Sequence, residues 1–321
     1  MVGVAIGQRA RAGNDVIEAL FHAHRRRLWG LAYRITATAQ DADDIVQQTF
    51  TRLLERESKG SEDLGPWLLR VATNLSIDAL RQRRRRAYVG PWLPTPVEAA
   101  DEEWLDGSAS DPPNPEARYS LVESATYAFL LALEALRPSQ RAVLLLRDVL
   151  GHSVRETAAL LTASEANVRV LHLRARRALE EYDRSRSIPT PELRERYRVA
   201  LEGFLRSLLA QDVRGVEEIL AESVRTVTDA DGKYTALATP LLGRSRVARF
   251  YLRAAAERSL RDPRVAISQV NALPAAVITL ARPVRRQAPL TVLRCELDKD
   301  GRIAVVHAIL APRKLHAIHI A

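Results

Sequence analysis

The stretch Asp41-Ala42-Asp43-Asp44-Ile45-Val46-Gln47-Gln48-Thr49-Phe50 leads, after a polar interval, into Trp67-Leu68-Leu69-Arg70-Val71-Ala72-Thr73-Asn74-Leu75-Ser76-Ile77-Asp78-Ala79-Leu80-Arg81 and closes on Gln82-Arg83-Arg84-Arg85-Arg86. Asp41, Asp43 and Asp44 suit the first turn of a helix, where carboxylates complement unpaired N–H groups and the positive end of the dipole. Ile45/Val46, Thr49/Phe50 and Leu53/Leu54 recur every four residues, leaving a polar stripe of Asp44, Gln47, Gln48 and Arg52. Periodicity alone reads this as an amphipathic helix with a solvated face. Residues 55–66 contain Gly60 and Gly65 and read as a loop. In the next helix Trp67, Leu68, Val71, Leu75 and Ala79 form an apolar face, with Arg70, Asn74, Ile77/Asp78 and Arg81 on another. The arginine run that follows is either a solvated helix end or a phosphate anchor continuing a donor-rich face.

Upstream, Val16, Leu20, the His22/Ala23 pair, Leu28, Leu31 and Ile35 predict a first helix over 15–37, preceded by a frayed leader over 1–13. Downstream, residues 88–116 carry Pro91, Pro94, Pro96, Pro112, Pro113 and Pro115 together with seven acids, and read as an extended, acidic spacer. Helical patterning resumes at Ala117. Ser153-Val154-Arg155-Glu156 is a capping box, Thr162-Ala163-Ser164 a tight turn, and 165–181 a basic helix bearing Asn167, Arg169, His172, Arg174, Arg176 and Arg177. A short helix, a three-residue turn and a basic second helix describe a helix-turn-helix, an outline that helical hairpins binding nothing also share. After a second linker over 185–191 come helices over 193–210 and 213–220. Strands are expected over 224–228, 233–238, 265–271, 275–281, 290–297 and 303–310, with a helix over 245–257. Asp229-Ala230-Asp231-Gly232 and Asp298-Lys299-Asp300-Gly301 suit hairpin turns, so this part reads as an α+β unit with a curved antiparallel sheet.

The 321 residues are enough for three folded units. With 48 Lys+Arg against 39 Asp+Glu the formal charge is +9, a bias toward polyanions that makes nucleic acid the first partner to test. Cys295 is the only cysteine, which excludes an intramolecular disulfide and a Cys-rich zinc site and suits a reducing cytoplasm. No run approaches the roughly 20 apolar residues that span a bilayer, and no export signal is expected.

Residues 15–86 resemble region 2 of the extracytoplasmic-function sigma factors of bacterial RNA polymerase, in the two motifs quoted first; residues 117–182 look like region 4; the C-terminal unit is similar to SnoaL-like cones of the nuclear-transport-factor-like superfold. A subgroup of sigma factors fused to such a cone carries Trp-Leu-Pro-x-Pro in the linker and Asp-Gly-Gly-Gly-Lys in the extension. These read here Trp92-Leu93-Pro94-Thr95-Pro96 and Asp229-Ala230-Asp231-Gly232-Lys233, with two glycines replaced. The subgroup's terminal Asn-Pro-Asp-Lys-Leu is similar to Ala311-Pro312-Arg313-Lys314-Leu315. The resemblance implies a multidomain fold: all-α region 2 over 14–87, an acidic linker over 88–116, region 4 over 117–184 and a regulatory cone over 192–321.

It further implies a factor that directs promoter recognition, DNA melting and transcription initiation. Asp41, Asp44, Gln47, Gln48 and Arg52 dock on the β′ clamp helices of core polymerase, whose β subunit is a further partner. Arg70, Asn74, Asp78 and Arg81 engage the −10 element, with Arg83 and Arg84 as phosphate anchors. Asn167, Arg169 and His172 reach base edges at the −35 element, while Arg174, Arg176 and Arg177 contact phosphates. Trp92, Leu93, Pro94 and Pro96 meet Asp229, Asp231, Gly232 and Lys233 in a regulatory contact within the chain, so the cone modulates activity in cis.

No cofactor, metal or catalytic residue is expected. Acid–base chemistry in the cone would need Asp229, Asp231, Glu296 or His307 inside a pocket, and structural roles are expected for all four. Two alternatives stay open: a one-component helix-turn-helix regulator with a ligand-sensing cone, and a SnoaL-like isomerase or hydrolase.

Overall fold

A computed structural model of the chain describes residues 2–56, 63–98, 117–186, 188–259 and 261–318. Residues 99–116 of the expected spacer and residues 57–62 of the loop over 55–66 lie outside the described residues. Helices run in chain order as α1 (Val2–Thr36), α2 (Ala39–Leu54), α3 (Gly65–Arg85), α4 (Leu121–Ala125), α5 (Tyr127–Ala132), α6 (Pro138–Leu144), α7 (Val154–Leu161), α8 (Glu165–Ala178), α9 (Glu180–Arg184), α10 (Pro191–Leu209), α11 (Val213–Ile219) and α12 (Arg244–Ser259). α1 begins at Val2, where a frayed leader was expected; its first turns contain no proline to stop the helix, although Gly3, Gly7 and Gly13 weaken it. Packing gathers the chain into two units, Met1–Arg85 with Glu103–Ser124 and Leu133–Glu180, and Arg86–Glu102 with Ala125–Ala132 and Glu181–Ala321.

In the first unit α1, α2 and α3 pack on one another, and α3 also meets α6 and α7. Leu28, Leu31, Ile35, Ile45, Phe50, Leu68 and Leu80 are buried among these helices. Each such side chain contributes about 1.5–3 kcal/mol on burial. Ile77, expected on the polar face of α3, is buried with them, because the core face runs through Leu69, Ala72, Thr73, Ser76 and Leu80. The hydroxyl of Thr38 caps α2 by accepting from the Asp41 N–H at 3.3 Å. Ala37, at φ 57°, turns the chain out of α1. α6 opens into a π-turn over Leu145–Val149, in which the Leu150 N–H reaches the Leu145 carbonyl at 2.9 Å. α7 begins at the Ser153/Glu156 capping box and ends at Thr162 in the left-handed conformation, and Ser164 caps α8. Val143, Ala158 and Val168 form the small core of this helix-turn-helix.

The second unit is built on a six-stranded sheet: β1 (Leu220–Asp229), β2 (Leu241–Leu242), β3 (Pro263–Val270), β4 (Leu273–Leu280), β5 (Leu290–Leu297) and β6 (Ile303–Ile309), in the order β2-β1-β6-β5-β4-β3. β1 pairs parallel with β6 and the other pairings are antiparallel, so the sheet is mixed where an all-antiparallel one was expected. The strand expected over 233–238 is absent. Asp231 and Gly232 both take positive φ and swing the chain away from β1, and the segment is held instead by Thr235 N–H to the Arg286 carbonyl and Leu237 N–H to Thr228 Oγ1. Asn271 and Ala272, both at positive φ, close the β3–β4 hairpin as a two-residue turn of the kind right-handed strand twist favours.

One face of the sheet, through Ala276, Leu293, Cys295 and Val306, packs on α10, α11 and α12 around Leu201, Phe204, Val216 and Tyr251. Cys295 is buried there, and burial pushes its thiol up to about 12, so it stays protonated. The opposite face, through Val277, Val292 and Ile309, is covered by Leu93, by Tyr127 of α5 and by Leu315 and Ile318.

Candidate functional site

On α2 the side chains of Asp44, Gln47, Gln48 and Arg52 are exposed along one stripe while Ile45, Val46, Thr49 and Phe50 are buried; Asp41 is half-buried beside its cap. Arg70, Asn74, Asp78 and Arg81 form an exposed stripe on α3, in which Arg81 Nη1 donates to Asp78 at 2.9 Å. This exposed ion pair contributes little to stability and leaves both groups accessible.

Arg83 and Arg84 are engaged within the first unit. Arg83 donates to both carboxylate oxygens of Glu134, at 2.8 and 2.6 Å, and to the Thr36 carbonyl at 2.6 Å. Arg84 donates to the carbonyls of Glu134 and Leu136. From the other side fully buried Arg141 reaches Glu134 at 2.7 Å, the Leu133 carbonyl at 2.6 Å and the Ile35 carbonyl at 2.9 Å. The carbonyls of Ile35 and Thr36 are ones that the C-terminus of α1 leaves without intrahelical partners, and two arginines satisfy them. Burial raises the carboxyl of Glu134, but the Arg141 and Arg83 charges and their hydrogen bonds outweigh it and hold the group below the ordinary glutamate value. Burial pulls Arg141 down to about 10, still a cation near neutral pH.

Along α8, Asn167, Arg169, Arg174, Arg176 and Arg177 are exposed, with Arg169 bonded to Glu165 at 2.8 Å. His172 is turned inward, its Nε2 2.7 Å from Asp148 Oδ1 on the π-turn. Val170 and Leu173 share the open surface with the arginines.

The densest polar site lies in the second unit, at the end of β1. Asp229 is fully buried. Its Oδ1 accepts from the Tyr88 hydroxyl, and its Oδ2 from the Leu93 N–H at 2.8 Å and from Lys314 Nζ at 2.6 Å. Lys314 Nζ also donates to the Leu93 carbonyl at 2.5 Å and sits 4.4 Å from the ring centroid of Trp92 and 4.7 Å from that of Tyr88. One carboxylate and one ammonium thus grip both polar groups of the Leu93 backbone. Burial, and then the Asp229 charge, raise the Tyr88 hydroxyl well above its ordinary value, which keeps it a donor. Leu93, Pro94, Thr95, Pro96, Val97 and Glu98 are buried, so this part of the expected spacer is a packed strap. The strap is pinned further along by Asn271, whose Oδ1 accepts from the Val97 N–H at 3.2 Å and whose N–H donates to the Val97 carbonyl at 2.9 Å, and by the Tyr127 hydroxyl, which donates to the Pro94 carbonyl. A Cβ on Gly232 would stand 3.0 Å from Val89 Cγ1. Asp231 is half-buried and the Lys233 side chain exposed.

Glu296 and His307 alternate onto the strap-covered face. His307 is buried, with Nδ1 3.7 Å from Glu296 Oε1, and its ring is 5.8 Å from that of Tyr127. Arg294 stacks its guanidinium 4.2 Å over Tyr127. Burial, then the charges of Arg294 and Arg225, push His307 down to about 3, so it is neutral. Asp229, Asp231, Glu296 and His307 all lie outside the lining of the cone's cavity.

Comparison with known proteins follows the same division. Family models for Sigma-70 region 2 and Sigma-70 region 4 match residues 20–86 and 127–179. The ECF RNA polymerase sigma factor SigJ of Mycobacterium tuberculosis is 33% identical over 235 residues, 72% of this chain and 71% of the relative. The chain belongs to the ECF RNA polymerase sigma factor family. The sigma factor is similarly 33% identical to SigG of M. tuberculosis over 255 residues, 73% of this chain and 68% of the relative. The crystal structure of M. tuberculosis SigJ superposes with a TM-score of 0.70 at 26% identity, covering 93% of this chain and 98% of that one, so the likeness runs beyond regions 2 and 4 into the C-terminal domain. The fold is therefore helical sigma regions 2 and 4 followed by an α+β domain of the kind SigJ carries, and the function is that of an RNA polymerase sigma factor in transcription initiation. No helix among the described residues is long and apolar enough to cross a membrane.

Reasoning from sequence did not single out Glu134, Arg141, Tyr88, Asn271 or Lys314 as site residues in this sigma factor. Lys314 carried a signal, since it occupies the lysine of the subgroup's terminal motif. The others carried none, because hydrogen bonds and ion pairs to segments far along the chain, such as Tyr88–Asp229, Asn271–Val97, Arg83–Glu134 and Arg141–Ile35, leave no local pattern.

Proposed function

We propose that this sigma factor works in the cytoplasm without catalysis of its own, docking on the polymerase β′ clamp and β subunit and reading a two-part promoter, with its C-terminal domain acting on it in cis. The exposed stripe of Asp44, Gln47, Gln48 and Arg52 beside Asp41 is the clamp surface. Arg70, Asn74, Asp78 and Arg81 take the −10 strand once melted; unstacking costs a few kcal/mol per step, offset by a base pocket and phosphate contacts. Asn167 and Arg169 read the −35 major groove, with His172 behind them on Asp148, and Arg174, Arg176 and Arg177 hold phosphates.

The cis regulation rests on one observation above all, the Asp229–Lys314 pair closed around Leu93 and Trp92. A segment held this way is withheld from any other use until the grip opens. Asp231, Gly232 and Lys233 shape the rim of the grip, and Pro94 and Pro96 keep the strap extended. The engagement of Arg83 and Arg84 by the Glu134 region acts in the same sense on the −10 arginines.

The test is promoter-specific transcription with core polymerase by the intact chain, by Lys314→Met, and by a chain ending before residue 190. A change in promoter affinity or transcript yield in both altered chains supports regulation in cis; unchanged yield in both refutes it. Salt titration separates the roles on α8: alanine at Arg174, Arg176 or Arg177 lowers the slope of log K against log salt by roughly 0.9 per lost contact, uniformly across promoters, whereas Asn167→Ala changes the order of preferred −35 sequences.

A further inference from the structure

Between α10, α12 and the helix-covered face of the sheet lies a cavity of about 300 Å³, at the small end of the range for drug-sized ligands. Leu208, Phe250, Ala254, Val265, Ile278 and Leu293 make its walls apolar. Its charged lining is three arginines, Arg258, Arg285 and Arg286, against one acid, Glu257, a balance that favours anions.

Arg258 distinguishes this cavity from a packing defect. Its side chain is half-buried, Nε is sealed from solvent, and it makes no hydrogen bond or ion pair among the described residues. Burial lowers its pKa, and the charges of Tyr251 and Glu257 offset this only in part. A guanidinium in that position is costly unless an anion joins it. The nearby Tyr251 hydroxyl donates to Thr226 Oγ1 at 2.6 Å, since Thr226 spends its own proton on the Val306 carbonyl at 3.1 Å, and a neutral phenol supplies no counter-charge to the guanidinium. The cavity therefore offers one unpaired cationic donor set above an apolar chamber.

We propose that the C-terminal domain binds an amphiphilic monocarboxylate, its apolar body in the chamber and its carboxylate on Arg258. A phosphate monoester fits less well, because a second negative charge would be partly desolvated against a single half-buried arginine; Arg285 and Arg286 are exposed and steer the anion rather than hold it.

Calorimetry on the intact chain with decanoate, decanol and decyl phosphate, below their aggregation concentrations, tests this. Decanoate should bind one-to-one and at least tenfold tighter than decanol or decyl phosphate. Arg258→Met should equalise decanoate and decanol, Arg258→Lys should keep a preference for decanoate, and Ala255→Phe, which fills the chamber, should abolish binding of both. Without ligand, Arg258→Met should unfold at the same temperature as the parent or higher, since it removes a half-buried charge whose side chain has no hydrogen-bond partner among the described residues. The proposal is overturned if decanoate does not bind saturably, if decanol or decyl phosphate binds as well, if Arg258→Met still prefers decanoate, or if that variant melts lower, which would mean that Arg258 is satisfied within the protein.

Discussion

Replacing Lys314 by Met keeps an unbranched side chain of similar length and removes the ammonium. Asp229, fully buried, would keep the Tyr88 hydroxyl and the Leu93 N–H but lose its one counter-ion among the described residues, and the Leu93 carbonyl would lose this donor. Removing one partner of a buried pair costs about 3–5 kcal/mol, because the remaining charge is stranded. The stacking of Lys314 over Trp92 and Tyr88 adds about 0.5–2 kcal/mol per ring, and these terms overlap rather than sum. Taking about 3–5 kcal/mol for local release of the strap, protection of the Leu93 amide against hydrogen exchange should fall about 150-fold to about 5,000-fold. The Val168 amide, in the helix-turn-helix of the other unit, serves as the unaffected control.

The double variant Asp229→Leu/Lys314→Met supplies the second half of the test. Exchanging both charges for apolar groups of similar volume removes the stranded ion, so the double should be less damaging than the sum of the two single changes by roughly 2 kcal/mol or more. A fall in Leu93 protection of less than tenfold in Lys314→Met, or strict additivity in the double, would show that the pair does not hold the strap and would sink the reasoning.

In Gly232→Ala the positive φ of 65° and the 3.0 Å approach to Val89 both penalise the methyl. A loss of about 1–2 kcal/mol is expected in thermal melts, which Val89→Ala should recover only in its steric part. Glu134 has a depressed folded pKa, so its contribution is complete above its unfolded value near 4.5 and drains away as pH falls through the lower folded one; Glu134→Gln should flatten that acid transition in urea melts. His307 is likewise depressed, to about 3, so below about pH 6.5 the unfolded chain binds a proton that the folded chain does not. Stability should decline there by roughly 1.4 kcal/mol per pH unit, and His307→Leu should remove that slope; identical slopes in the two proteins would refute it.

The elements that positioned the site were legible where one helix face decides burial. The α2 stripe, the Ser153 capping box and the turn at Thr162 follow from residues within a few positions of one another. What escaped was set by pairing across long separations. The parallel β1–β6 pairing needs two strands some 80 residues apart, and Asp229, which as part of Asp-x-Asp-Gly suggests a turn cap, is instead the end of β1 neutralised by Lys314. The spacer over 88–116 was misjudged in its first part for the same reason. Proline and low local periodicity argue correctly against regular structure, yet Leu93 and Val97 are buried by tertiary contacts that composition does not encode.

The two grips use opposite chemistry, which bears on how each would open under the proposed function. At Asp229 both charges are internal and the held group is neutral backbone, so nothing in DNA competes for it; release requires a change in the cone itself. At Glu134 the held groups are cations that phosphate would also bind. Arg83 can exchange a bidentate carboxylate for a phosphate with its charge-assisted bonds intact, and Arg84 can exchange two carbonyls for an anion, a net gain. Arg141 cannot follow them: fully buried, it keeps Glu134 as its counter-ion after Arg83 leaves, so the carboxylate is not stranded. A three-member network in which one arginine is permanent and one exchangeable lowers the cost of opening below the roughly 3–5 kcal/mol of a simple buried pair. Under the proposed function, that asymmetry would make the Glu134 contact the one that promoter DNA itself displaces, and the Asp229 grip the one released from within.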